Sequence, residues 1–141
     1  MADFKLAIDK LLKTEGGYVN DPDDNGGETY KGIARKFWPS WLGWSIIDDY
    51  KQHDGFPTKP FTDHETEIDN QLQYEVKMFY YENFWVKVGA DNTNNQVIAA
   101  LIDDSAVNEG IIGAIKRAQE IVHLPVTGKL TAELTTKLNL L

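Results

Sequence analysis

The sequence predicts a mainly α fold with one small β element near its N-terminus. Two observations carry that expectation. Apolar residues recur at helical spacing along most of the chain. Extended residues are confined to Tyr18-Val19 and Thr29-Tyr30, on either side of a loop rich in Asp, Asn and Gly. The length of 141 residues and the hydrophobic fraction of 42% fit one domain with a real core.

The first helix is marked by Phe4, Ile8, Leu11 and Leu12, which fall on one stripe, with Asp3 as a cap. Glu15 continues that stripe, and Gly16-Gly17 ends the helix. Tyr18-Val19 and Thr29-Tyr30 read as short strands joined by the polar loop from Asp21 to Gly27. A helix with a basic face (Lys31, Arg35, Lys36) is expected to start within Gly32–Phe37, ahead of Trp38, Trp41 and Trp44. Ile46–Tyr50 reads as a short helix, and the Gly- and Pro-containing stretch His53–Asp63 as a loop. Three further helices are expected over Glu65–Trp85, Gln96–Asn108 and Ile111–His123, the last ended by Pro125. Gly128 turns the chain, and Thr131 caps a final helix lined by Leu134, Leu138 and Leu141.

Composition narrows the partners. Fourteen basic against 22 acidic residues give a net charge of −8, which disfavours nucleic acid and anionic membranes and leaves uncharged polymers such as polysaccharides open. The absence of cysteine removes disulfides and thiol chemistry. Met1-Ala2-Asp3-Phe4-Lys5 does not read as a secretory signal, and the longest apolar window, around Gln96–Ile102, is far short of a membrane span. The expectation is synthesis in the cytoplasm without a signal peptide, and no membrane insertion.

The stretch from Thr14 to Ile33 concentrates the candidate chemistry. It holds four acidic residues before Glu28, together with five glycines. Asp21-Pro22-Asp23-Asp24-Asn25-Gly26 fits the first half of a calcium loop, but the twelfth position, where a bidentate glutamate belongs, is Gly32. His53, His64 and His123 show no ligand spacing. No metal or other cofactor is therefore expected. Glycoside hydrolysis needs a carboxylic acid that stays protonated near neutral pH, and burial on an apolar stripe raises a glutamate pKa in that direction. Glu15 has that setting, although a helix-end carboxylate turned to solvent fits the periodicity equally well. A second carboxylate should face the acid across the sugar, and Asp24, Asp21 and Asp23 are the candidates. Asp-Pro and Asp-Asn-Gly are also ordinary turn chemistry, so at least two of the three are expected to be structural. Thr29 offers a hydroxyl to position water, and Tyr30 adjoins it. Asn108, one turn beyond Asp104, is a further substrate candidate, with helix capping as its alternative. Arg35 and Lys36 suit a carboxylate on the substrate, against the blander reading of a solvated face.

The string Glu15-Gly16-Gly17-Tyr18-Val19-Asn20-Asp21-Pro22, followed by Asp24, Gly26-Gly27, Thr29 and Gly32-Ile33, resembles the signature of glycoside hydrolase family 108. Lys31–Lys36, Trp41–Asp48, Phe79–Trp85 and Asp104–Gly110 are similar to later segments of that family. The resemblance implies a lysozyme-like α+β fold with a small β-hairpin next to the catalytic helix. It implies one domain over 1–141, in which 1–90 carries the catalytic signature and 91–141 a helical peptidoglycan-binding-like region. It also implies N-acetylmuramidase activity on peptidoglycan glycan strands. Glu15 would be the catalytic acid, Asp24 the second carboxylate and Thr29 the water-orienting group. Tyr30, Asn108 and Asp21 are expected, from their own places in the sequence, to contact substrate. A lytic transglycosylase and a non-catalytic wall-binding protein are the alternatives. A monomer is expected, exported through a holin or a secretion system. Departures from the family pattern include Asn25, Glu28 and Asp103, the last where the family usually carries an aromatic residue. In the tail, Thr127-Gly128 and Thr131 replace the usual Asp-Gly and Gly.

Overall fold

The computed structural model describes residues 1–14, 17–20, 23, 27–52 and 67–141. Glu15, Asp21, Asp24, His64 and the whole 53–63 stretch lie outside them. The fold is the expected one, mostly helical with a small antiparallel sheet, a lysozyme-like α+β arrangement. Its elements are α1 (Phe4–Thr14), β1 (Tyr18–Asn20), β2 (Glu28–Tyr30), β3 (Ile33–Ala34), α2 (Gly43–Tyr50), α3 (Glu67–Tyr80), α4 (Gln96–Glu109), α5 (Ile111–Ile121) and α6 (Ala132–Leu138). The chain forms two compact units, Leu12–Phe79 and Met1–Leu11 with Tyr80–Leu141.

The Leu12–Phe79 unit holds the sheet, in the order β1-β2-β3. Tyr18 pairs with Tyr30, Val19 with Thr29 and Asn20 with Glu28. Tyr30 then pairs with Ile33 and Thr29 with Ala34. The helix expected from Gly32 is therefore a third strand. Lys31 and Gly32 both take positive φ, 46° and 81°, the handedness of a two-residue hairpin turn. After β3 the chain makes a tight turn, with the Phe37 and Trp38 amides both donating to the Ala34 carbonyl. Two indoles fasten the segment between that turn and α2. Trp44 Nε1 donates to the Trp38 carbonyl at 3.0 Å, and Trp41 Nε1 to the Glu75 carbonyl at 3.2 Å. Position 43 must be glycine, because a Cβ there would lie 2.2 Å from the Trp41 ring.

In the other unit Trp85, Val88, Ala99, Ile102, Ala106, Ala114, Ile115, Ala118, Leu134 and Leu138 are buried in one apolar cluster. Asp3 Oδ1 accepts from the Lys5 amide at the start of α1, as a cap does. A wide π-type turn at Tyr81–Trp85 follows α3. The Asp91 carboxylate fixes that turn, accepting from Tyr81 Oη at 2.6 Å and Trp85 Nε1 at 2.7 Å. Asn95 caps α4 by accepting from the Val97 and Ile98 amides, and Thr131 caps α6 through the Leu134 amide. The buried Gln119 holds the turn after α5: its Oε1 accepts from the Thr127 and Gly128 amides, and its Nε2 donates to Thr127 Oγ1 and the Lys129 carbonyl. No described helix is long and apolar enough to cross a membrane.

Candidate active site

Strand β2 carries the sheet's share of the candidate chemistry. Successive side chains on a strand point to opposite faces, so Glu28 and Tyr30 share one face and Thr29 takes the other. Thr29 is half-buried, and its hydroxyl has no hydrogen-bond partner among the described residues. Such a group is available to a water or a substrate oxygen. Tyr30 is different. It is fully buried, with its hydroxyl accepting from Gln73 Nε2 at 2.8 Å. Its place on the strand puts the ring of this expected substrate residue inside the unit, where it packs.

The face of β2 opposite Thr29 holds an ion-pair network that the sequence did not announce. Glu28, whose side chain is 12% exposed, accepts from Tyr18 Oη, from Arg35 Nη1 at 2.7 Å and from Lys51 Nζ. Arg35 also makes a two-pronged bond to Asp48, both contacts at 2.8 Å, and lies over the Trp44 ring. Burial pushes the Glu28 carboxyl up, but the hydrogen bonds from Lys51, Tyr18 and Arg35 outweigh it and hold the group below its ordinary range. The bond from Arg35 brings Asp48 down to about 2, against an opposing push from burial. Arg35 is therefore committed to structure and does not serve as a free receptor for a substrate carboxylate. Of the two cations considered for that task, Lys36 alone is exposed and without an acidic partner among the described residues. The Glu28–Arg35 spacing and the Asp48–Lys51 helical spacing were visible in the sequence; the hairpin that folds one pair onto the other was not.

Asn108 and Asp104 lie in the other unit. They line a cavity of about 490 Å³ walled by Leu101, Ile102, Ala118 and Leu138, with Glu109 and Arg117 also lining it. Arg117 Nη2 donates to both carboxylate oxygens of Glu109, at 2.7 and 2.8 Å. Asn108 is exposed, and α4 ends at Gly110 without an Asn108 side-chain cap. Next to this wall, Asp103 is 2% exposed, and its Oδ1 has no hydrogen-bond partner. Burial, reinforced by the neighbouring Asp104 charge, pushes its carboxyl up to about 7. Among the described residues no group of three or more His, Asp or Glu side chains could hold a metal ion. Trp41 and Trp44 pack edge to face at 5.4 Å, as their spacing suggested, while Trp38 stays 38% exposed.

A small sheet carrying a polar strand, among helices, is the architecture of lysozyme-type glycosidases, and the comparisons narrow that class. The sequence profile of glycosyl hydrolase 108 matches residues 8–110, well over half the chain, and the protein belongs to that family. It is a glycoside hydrolase, of a family that acts on peptidoglycan. The solved structure of SagA from Brucella abortus is similar in fold, with a TM-score of 0.64 and 22% identity over 98% of this chain and 69% of that one. No curated protein sequence matches the chain.

Proposed function

We propose that the protein is an N-acetylmuramidase, hydrolysing the β-1,4 bond between N-acetylmuramic acid and N-acetylglucosamine in peptidoglycan. Glu15 donates the proton to the leaving oxygen. Asp24 stabilises the oxocarbenium-like centre or activates water, and Thr29 orients that water. Asp21 and Asn108 contact the glycan. No cofactor takes part. The protein works as a monomer on the cell wall after leaving the cytoplasm through a holin or a secretion system.

The observation that carries this reading is the family match over residues 8–110, which spans Glu15 and its Glu-Gly-Gly motif. The uncommitted hydroxyl of Thr29, on the strand after the acidic loop, supports its part. The test is clearing of purified cell wall by wild type and by Glu15→Gln. Wild type should lower turbidity and release soluble muropeptides, and Glu15→Gln should lose at least about a hundredfold in rate, the scale of a general acid. Asp24→Asn should lose most activity as well. Retention near wild type would move the second carboxylate to Asp21 or Asp23. Anhydro-muramic ends in the mass spectrum of the digest would replace hydrolysis with transglycosylation. Wall binding without release of muropeptides would make the protein a binding module.

A further inference from the structure

The turn between β3 and α2 presents an apolar surface that nothing in the proposed catalysis uses. Phe37 is 69% exposed and Trp38 is 38% exposed, side by side in sequence. Large apolar side chains left in water next to one another mark a contact surface more often than a lapse in folding. Here the backbone of both residues and the Trp38 ring are held. Both amides donate to the Ala34 carbonyl, the Trp38 carbonyl accepts from the Trp44 indole, and the Trp38 ring stands edge-on to the buried Phe79 at 4.8 Å and 89°. The Trp38 ring is therefore ordered before any ligand arrives, which lowers the entropy lost on binding.

Two polar groups beside the rings are uncommitted. The indoles of Trp41, Trp44 and Trp85 each donate a hydrogen bond, whereas that of Trp38 donates none to the described residues. Lys36 lies with its Nζ 5.8 Å from the Phe37 ring centre and, like most of the described lysines, has no acidic partner among the described residues. In a chain of net charge −8, an unpaired cation beside an exposed aromatic ring is complementary to an anionic ligand with an apolar face.

We propose that Lys36, Phe37 and Trp38 form an accessory platform for a carboxylate-bearing N-acetylated glycan, the wall strand itself. The C–H face of a sugar ring packs on Phe37 and Trp38, the free indole N–H serves an N-acetyl carbonyl, and the Lys36 ammonium takes a lactyl or stem-peptide carboxylate. The proposal rests on the peptidoglycan reading above and extends it to a second contact, away from the acidic loop in sequence. A second foothold on a polymer raises overall affinity without any change at the bond being cut.

The experiment is co-sedimentation with purified sacculi, on ice, in the Glu15→Gln background. Phe37→Ala should weaken binding about tenfold, the size of one lost aromatic contact, and Phe37→Trp should restore it. Lys36→Gln should weaken binding to native sacculi and make no difference on sacculi whose carboxylates have been amidated, while Phe37→Ala weakens both. Unchanged binding in Phe37→Ala, or a Lys36→Gln loss that persists on amidated wall, overturns the proposal. So does a Phe37→Ala defect seen only with neutral phosphatidylcholine vesicles, which would assign the surface to a membrane. Failure here is separable from failure of the catalytic reading. A protein that clears wall but binds equally well in all variants loses the platform alone. One that binds with the expected dependences but never clears wall loses the catalysis alone.

Discussion

Asp103 lies on the buried face of α4, among apolar residues. The apolar positions of α4 in the sequence are Val97, Ile98, Leu101, Ile102 and Ala106, yet Val97 and Leu101 are 66% and 63% exposed. The face that turns inward is Ala99, Ile102, Asp103 and Ala106. Both flanks of the helix are apolar, so periodicity alone does not place Asp103 inside or outside. The consequence is a carboxyl raised to about 7 by burial and by the Asp104 charge. A group with a raised carboxyl pKa binds more protons folded than unfolded, so stability falls as pH rises from the unfolded value near 3.8 through about 7. The full penalty amounts to roughly 4 kcal/mol. Asp103→Asn removes the ionisation but still buries a polar group, so the expected gain is about 2 kcal/mol at pH 8 and close to nothing at pH 4. Urea denaturation of the two proteins at both pH values checks this, and an equal effect at both would show that ionisation is not the cost.

At the scale of elements, the sequence succeeded where glycines and caps punctuate the chain and failed where a turn used an unusual residue. Gly128 and Thr131 precede α6 as read, and both have the backbone or capping geometry their roles require. The β2–β3 hairpin was missed because its turn is Lys31-Gly32, without the Asn or Asp that usually signals φ > 0 at the first position. Ala34-Arg35-Lys36 also suits a helix by propensity, and pairing with β2 overrode it. The turn makes opposite predictions for its two residues. Lys31→Asn relieves a non-glycine residue at φ 46° and should leave stability unchanged or raise it by up to about 1 kcal/mol, after its bond to Gln73 is lost. Gly32→Ala places a Cβ at φ 81° and should cost about 1–2 kcal/mol. Thermal melts decide the matter, and a neutral Gly32→Ala would mean that the hairpin does not hold that turn in solution.

At the scale of the whole chain, the two units respond to pH in opposite senses. The Leu12–Phe79 unit contains the network of Glu28, Asp48, Arg35 and Lys51, in which both carboxyls are held below their ordinary values. A depressed carboxyl pKa contributes stability that is present above the unfolded value and is lost as pH falls through the folded one. That window runs downward from about 4.5 for Glu28 and from 3.8 to about 2 for Asp48. The Asp48 share is the smaller in energy, because its side chain is 44% exposed and water screens it. The other unit contains Asp103 and loses stability on the alkaline side. Thermal stability should therefore peak near about pH 4 to 4.5, where the gains from Glu28 and Asp48 balance the loss from Asp103, and fall on both sides, with each limb assigned to one unit. Glu28→Gln should cost about 2 kcal/mol at pH 6, where Arg35 and Lys51 lose a charged acceptor, and flatten the acid limb. Asp103→Asn should flatten the alkaline limb and leave the acid limb intact. Hydrogen exchange corrected for intrinsic rates would show where each loss occurs, with β2 and β3 amides losing protection in acid and α4 amides in alkali. If one substitution flattened both limbs, the two titrations would not be independent, and the assignment of each limb to its own unit would fail.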